Sequence, residues 1–533
     1  MFRRRGRARQ PWYDPPRRQS PVPGNPYAQQ GGGQAPLPGV PATGRFPRRR
    51  VLAGIAAGLL LVSTAVYAVV SDRDDRGGGP GHRDTAARPA APSPSAPASS
   101  TPSAEALGDL NAGRRAGEAV AWLAPVGADL PGKGAKTFDL WTVGDTVVQA
   151  AHDEVTAYRI SDGEEVWNVR LPADVCDTPV NPTADGTVVV AYTDGSTRRP
   201  KCEHLQAIDL TTGAQGWHRR LVAHSIFDST DTVHLAITGG TVLVGRYMTA
   251  DAYRVSDGRR LFHTGEENPG SCHPNDVAGG RRLLQVDWCA LGSDRPYHQV
   301  KELDPSTGKV RWRHRVAGGW TVEGVYSVDP VVLAVSHPDD ITRWTALTLR
   351  PDGTLRSRAA FGRHAFDQCA GGVSAETFGG IQNCTGAAVG GNTLYLASKS
   401  ESVTTHNEVV AFDLGTGRIR WAAHADERHQ VRPVTTDRTG VIVYVSPTAE
   451  YPDDPGEPGR TLRFDRKSGR STVLLKHTTS ARGVEHTLDS YSMGRTLYHR
   501  GRFLLAPHQL QGADDADPQG RILAYGAPAK EAR

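Results

Sequence analysis

The sequence lacks the signatures that announce most enzymes. Its 533 residues hold no Gly-x-Ser-x-Gly elbow, no His-Glu-x-x-His pair, no phosphate loop with its lysine and no Gly-x-Gly-x-x-Gly opening a helix. That removes the sequence basis for a serine hydrolase, a zinc protease, a P-loop nucleotidase or a dinucleotide enzyme. Cys-x-x-Cys and His-x-x-x-His spacings are missing too, so no metal site is expected. The 19 histidines, among them His152, His204, His263, His364 and His429, are scattered and read as packed or exposed scaffold residues. Helical periodicity is absent from the last four hundred residues, whereas 59 Gly and 37 Pro make the chain rich in turns.

A basic excess is also missing from most of the chain, despite a net charge of +5. Residues 1–50 hold eleven arginines against one acid, Asp14, and carry +10, so the remainder sums to −5. A mildly acidic bulk argues against a nucleic-acid groove. The one long uncharged run is residues 51–70, VLAGIAAGLLLVSTAVYAVV. As a helix, 20 residues span roughly the 30 Å hydrocarbon core. Arg48, Arg49 and Arg50 precede it and Ser71-Asp72-Arg73-Asp74-Asp75 follows. The positive-inside rule then expects a single-pass protein of the cell membrane, with its N-terminus cytoplasmic and everything after residue 70 outside. A cleaved signal peptide is the rival reading, with Val66-Tyr67-Ala68 as a weak cleavage site. The length of the apolar run and the fifty residues before it favour an uncleaved anchor.

The expected organisation is therefore a disordered Arg/Pro/Gly-rich cytoplasmic tail over 1–50, a transmembrane helix over 51–70, an extracytoplasmic linker over 71–135 with a low-complexity first half, and a folded domain over 136–533.

That domain repeats. AIDLTTGAQGW (207–217), LDPSTGKVRW (303–312) and AFDLGTGRIRW (411–421) are its clearest copies, and alignment on the turn glycine gives Gly163, Gly213, Gly258, Gly308, Gly353, Gly417 and Gly469, about 51 residues apart on average. Four positions beyond stand Trp167, Trp217, Phe262, Trp312, Ser357, Trp421 and Val473. Each copy reads as a β-hairpin: an alternating strand, an Asp, Thr or Ser that caps a tight turn, a glycine suited to positive φ, then a strand carrying a large aromatic. With further strands such as 187–191 upstream, each unit makes one propeller blade. An incomplete eighth copy, 503–506 with 521–525, ends the chain, and the ring closes if residues near 137–141 supply its outer strand. Residues 136–526 divided by eight give about 49 per blade. The expected fold is all-β, an eight-bladed (alternatively seven-bladed) β-propeller preceded by one transmembrane helix.

The apolar-Asp-x-x-Thr-Gly-x-x-x-Trp pattern resembles the pyrroloquinoline-quinone-type repeat of quinoprotein alcohol dehydrogenases and of the non-enzymatic outer-membrane assembly factor BamB. The resemblance implies that the recurring aromatic packs between neighbouring blades, a role carried onto Trp167, Trp217, Phe262, Trp312 and Trp421. It does not decide function, because one scaffold serves enzymes and binding proteins alike.

Six cysteines, Cys176, Cys202, Cys272, Cys289, Cys369 and Cys384, all fall in the repeat region. They admit fifteen connectivities, and their placement after the hairpin glycines favours 176–202, 272–289 and 369–384, as suits an oxidising compartment. Acidic stretches at 451–457 and 514–517 lack the twelve-residue pattern of a calcium loop and read as solvated insertions.

No catalytic, cofactor or metal residue is assigned. The expected function is a non-catalytic binding scaffold of the bacterial cell envelope, its partners being envelope proteins or cell-wall polymers and not nucleic acid. A dehydrogenase using pyrroloquinoline quinone (PQQ) and Ca²⁺ is one alternative. It lacks the adjacent Cys-Cys pair common in such enzymes and has no Asp to match their catalytic one. An envelope sensor signalling through the tail is another.

Overall fold

A computed structural model describes residues 109–126, 130, 134–223, 228–268, 271–369, 380–400, 406–449, 455–490, 494–511 and 520–528. The chain divides into two units, 1–96 and 97–533, and all described residues belong to the second. The expected tail, transmembrane helix and low-complexity first half of the linker lie outside them, as do residues 451–454 and 514–517 of the acidic stretches. Among the described residues, no helix is long and apolar enough to cross a membrane.

Eight antiparallel sheets follow one another along the chain. Blades 1 to 7 span residues 135–170, 175–220, 233–264, 272–315, 321–358, 387–423 and 431–476, each with its four strands side by side in chain order. Burial grades outward. The second strands, such as Thr241–Arg246 and Gly440–Val445, are buried throughout, while the last strands, such as Gln215–Arg220, are mostly exposed. Apolar runs therefore sit in the middle of each blade, where both sheet faces meet a neighbouring blade.

Blade 8 is assembled from both ends of the domain. Arg495–His499, Arg502–Ala506 and Gly520–Gly526 supply three strands, and Val120–Pro125 supplies the outer one, pairing Trp122 with Ala524 and Leu123 with Leu523. Eight blades are thus formed, but the closing strand is not residues 137–141. Those residues belong to Ala135–Val143, the first strand of blade 1. The ring accordingly begins upstream of residue 136. The short strand Gln509–Leu510 adds a second seam by pairing with Lys136 and Ala135.

The repeat explains how blades meet. In the blade 2 turn, Asp209 Oδ1 accepts the Thr211 and Thr212 amides at 2.7 and 3.2 Å, and the Gly213 amide donates to the Asp209 carbonyl at 2.8 Å. Gly213 takes φ 74°, and a Cβ there would stand 2.7 Å from the Trp167 ring of blade 1. Only glycine satisfies both the turn and the ring lying upon it. The same stacking joins Trp217 to Gly258, Phe262 to Gly308, Trp312 to Gly353 and Trp421 to Gly469. Trp122 lies on Gly163 in the same manner, closing the ring with the device used inside it.

The indole N–H often completes the joint. Trp122, Trp217 and Trp421 donate to the carbonyls of Ile160, Val255 and Arg466 at 2.9, 2.6 and 3.0 Å, each three residues before the facing glycine. The two degenerate copies follow the same logic. Ser357 replaces the aromatic of blade 5, and its hydroxyl donates to Leu414 O at 2.7 Å, again three residues before Gly417. Val473 of blade 7 has no hairpin glycine to meet, because the chain termini replace that turn in blade 8.

Candidate functional site

The topology gives the ring two unlike sides. Turns within strand pairs one–two and three–four emerge on one side and are two to nine residues long. Connections between strands two and three, and between successive blades, emerge on the other and reach 28 residues, between Arg358 and Ala387. Charge divides the same way. Turn-side connections hold nine Asp or Glu, eleven Lys or Arg and no histidine. Among the described residues, loop-side connections hold 16 Asp or Glu, eight Lys or Arg and eight histidines. The helix Arg482–Ser490 also lies in a loop-side connection, an element the turn-rich sequence did not suggest.

Disulfides fasten this side. Cys176–Cys202, Cys272–Cys289 and Cys369–Cys384 are formed, with Cα separations of 5.8, 3.9 and 5.0 Å. The first two tie strand ends of blades 2 and 4, and the third gathers the 28-residue link. The predicted glycines and aromatics, by contrast, all gather at the turn-side joints.

Along the axis, that long link reaches inward. Ile381 O accepts from Val325 N in blade 5 at 2.7 Å. The Gln382 side chain exchanges two hydrogen bonds with Gly279 of blade 4, at 2.6 and 2.9 Å. Gly380 lies against the His234 ring of blade 3, where a Cβ would approach Nδ1 to 3.1 Å. His234 and Val325 sit on first strands and Gly279 directly follows one, so the segment runs along the axial side of three successive blades.

The remaining arc is charged. Arg495 of blade 8 donates to Asp139 of blade 1 at 2.7 Å, and Thr178 of blade 2 donates to the other oxygen at 3.1 Å. Burial nevertheless raises the Asp139 carboxyl above its usual range, against the pull of Arg495. Asp177 of blade 2 accepts the Leu235 amide of blade 3 at 2.7 Å. Its burial is complete and pushes its pKa up to about 8, so it stays largely protonated near neutrality. Burial also lowers Lys136, against the attraction of Asp177. Arg432 of blade 7 pairs with Asp489 of the helix.

A quinone held by Ca²⁺ on this axis would need open space and converging ionised carboxylates. The axial side of blades 3 to 5 is taken by the chain's own residues 380–382, Asp139 is bound to Arg495, and Asp177 carries its proton. Among the described residues, no group of three or more His, Cys, Asp or Glu is arranged to hold a metal ion. These residues do not fit that group.

One arrangement that sequence reading missed has the order of a hydrolase triad. Thr461 Oγ1 lies 3.0 Å from His477 Nε2, and His477 Nδ1 lies 2.6 Å from Glu485 Oε1. All three are buried, His477 stacks on Tyr525 at 3.9 Å, and Glu485 Oε2 also accepts the Tyr525 hydroxyl and the Gly459 amide. No side of this hydroxyl faces solvent, so the trio fastens the helix to blades 7 and 8 and has no access to a substrate. Its members are 16 and 8 residues apart, with no motif around them.

The fold and its joints define an eight-bladed β-propeller. Residues 108–270 match the family described as outer membrane protein assembly factor BamB, a stretch running through the closing strand and blades 1 to 3. No curated protein matches the chain. Among solved structures, the chain is similar to BamB from Moraxella catarrhalis, with 14% identity over 78% of this chain and 99% of that one and a TM-score of 0.42. Quinohemoprotein alcohol dehydrogenase from Comamonas testosteroni gives 14% identity over 78% and 77% and a TM-score of 0.44. Saccharomyces cerevisiae Sqt1 gives 11% identity over 76% and 100%, with a TM-score of 0.42.

Proposed function

We propose that this chain is a non-catalytic binding scaffold of a bacterial cell envelope. Residues 51–70 anchor it in the cell membrane, the tail lies in the cytoplasm, and the propeller stands outside. The loop side engages the partner, an envelope protein or cell-wall polymer presenting positive charge. The observation that carries this reading is the division of the ring: short turns on one side, and on the other long, disulfide-fastened, strongly acidic connections. Long loops on a rigid frame are where binding residues concentrate, and a one-signed surface selects partners of the opposite sign. Three disulfides suit an oxidising compartment. Occupation of part of the axis by residues 380–382 favours engagement at the loop side over an axial cofactor.

The test adds pyrroloquinoline quinone and Ca²⁺ to the purified full-length protein, then follows absorbance and dye reduction with alcohols and sugars. The expected result is neither stoichiometric uptake nor turnover. Uptake with turnover would replace the scaffold reading by a dehydrogenase.

A further inference from the structure

Among the described lysines, only Lys136 and Lys301 are withdrawn from solvent. Lys301 is fully buried and meets Asp287 and Glu267 at 2.9 and 2.8 Å. Lys136 is half-buried, and its ammonium has no hydrogen bond or ion pair among the described residues; the Phe138 ring lies 5.4 Å from it. A cation taken partly out of water without a counter-ion costs the fold free energy. Methionine would fill a similar volume without that cost.

Placement gives the ammonium a use. Lys136 is the second residue of Ala135–Val143, where backbone pairing with Gln509 holds it. First strands begin on the loop side, so Lys136 stands at the loop-side mouth of the axis. Asp177, His234 and Arg495 fall within the first three residues of the first strands of blades 2, 3 and 8. None of these groups neutralises it. Asp139 gives one oxygen to Arg495 and the other to Thr178. His234 lies beneath Gly380. Asp177 accepts the Leu235 amide and, with its pKa near 8, presents an O–H in place of a charge at pH 7. Burial lowers the Lys136 pKa, Asp177 and Asp139 raise it, and Arg495 lowers it.

What remains is one ammonium and one carboxylic O–H on neighbouring first strands. A carboxylate can use both, one oxygen accepting from each, in charge-assisted hydrogen bonds. One free cation balances one negative charge, so a monoanion fits, whereas a phosphate dianion would keep a charge unmatched. We propose that Lys136 and Asp177 form a receptor at the loop-side mouth of the axis for a single carboxylate, from a small organic acid or from the C-terminal end of a chain. The site lies on blades 1 and 2, clear of the axial stretch that residues 380–382 occupy.

Isothermal titration of the full-length protein at pH 7 with two matched pairs tests it: acetate against acetamide, and N-acetyl-trialanine against its C-terminal amide. In at least one pair the acid is expected to bind tenfold or more tightly than the amide. A tripeptide acid that binds at least tenfold more tightly than acetate identifies a chain end as the source, and equal affinities identify a small acid. Lys136→Met should abolish the preference and Lys136→Arg should keep part of it. Lys201→Met, at an exposed lysine of the loop side, should leave it unchanged. Raising the pH from 7 to 9 should erode the preference, because Asp177 then gains a charge that repels the ligand. Lys136→Met should melt no lower than the wild type, since it removes an unpaired cation. The proposal is overturned by acid and amide binding alike in both pairs, by a preference that survives Lys136→Met, or by a lower midpoint for that variant, which would make the ammonium part of the fold.

Discussion

Replacing Trp122 by alanine probes how the ring is held shut. Trp122 is 8% exposed, lies on Gly163 and donates its indole N–H to Ile160 O at 2.9 Å. Truncating a buried tryptophan typically costs about 3–5 kcal/mol, and the full range applies because burial, stacking and the hydrogen bond are lost together. Trp167 provides the internal comparison. It is half-buried on Gly213, and its indole nitrogen, although enclosed, has no hydrogen-bond partner among the described residues. Losing it should cost roughly 1–2 kcal/mol less, since an unsatisfied donor leaves with the ring. Guanidinium unfolding followed by circular dichroism should therefore rank Trp122→Ala below Trp167→Ala. Gly163→Ala attacks the same joint from the other side, placing a Cβ 2.4 Å from the Trp122 ring at φ 79°. In the Trp122→Ala, Gly163→Ala double variant the clash disappears, so the two costs should sum to less than their parts. Equal costs for the two tryptophans, together with strict additivity at 122 and 163, would refute the closure described for blade 8.

Other outcomes follow from particular groups. Asp177 has its folded pKa raised to about 8, so the fold holds a proton that the unfolded chain releases above about 4; stability must fall as pH rises between those values. At pH 7 the cost is about 4 kcal/mol at most, and Asp177→Asn should flatten the slope of denaturation midpoints between pH 5 and pH 8; an unchanged slope would contradict the assignment. Asp413 works in the opposite direction. Arg420 and the Thr416 and Gly415 amides hold its pKa down to about 2, so its contribution is present above about 4 and lost as pH falls towards 2; Asp413→Asn should narrow the stability difference between pH 5 and pH 2.5. Breaking Cys176–Cys202 by a double serine substitution should cost about 3 kcal/mol, seen as a lower midpoint in non-reducing buffer and as no difference from wild type once both are fully reduced.

What the sequence disclosed, and what it hid, divides by range of interaction. The hairpin is local: Asp209, Gly213 and Trp217 lie within nine residues, so their pattern recurs visibly and gives the blade, its turn and nearly the blade number. The closing strand was hidden because Val120–Pro125 lacks the preceding turn that marks every other outer strand, although Trp122 carries the same aromatic. The helix Arg482–Ser490 is only nine residues long and is held by a buried His477–Glu485 pair that no spacing rule marks. Contacts of residues 380–382 with blades 3 to 5 join positions up to about 150 apart, beyond any local pattern. The acid excess was present in the sequence, but only the topology sorts those charges onto one side.

The scaffold reading is tested most directly by photocrosslinking from defined positions in living cells. A photoreactive residue would replace, one at a time, Tyr247, Asp294 or Glu427 on the loop side and Asp257, Asp352 or Ser468 on the turn side, all exposed. The account predicts a discrete adduct from the loop-side positions, weakened when loop-side acids are replaced by lysine, and none from the turn-side positions. Adducts confined to the turn side, or unaffected by reversing the loop-side charge, would contradict it.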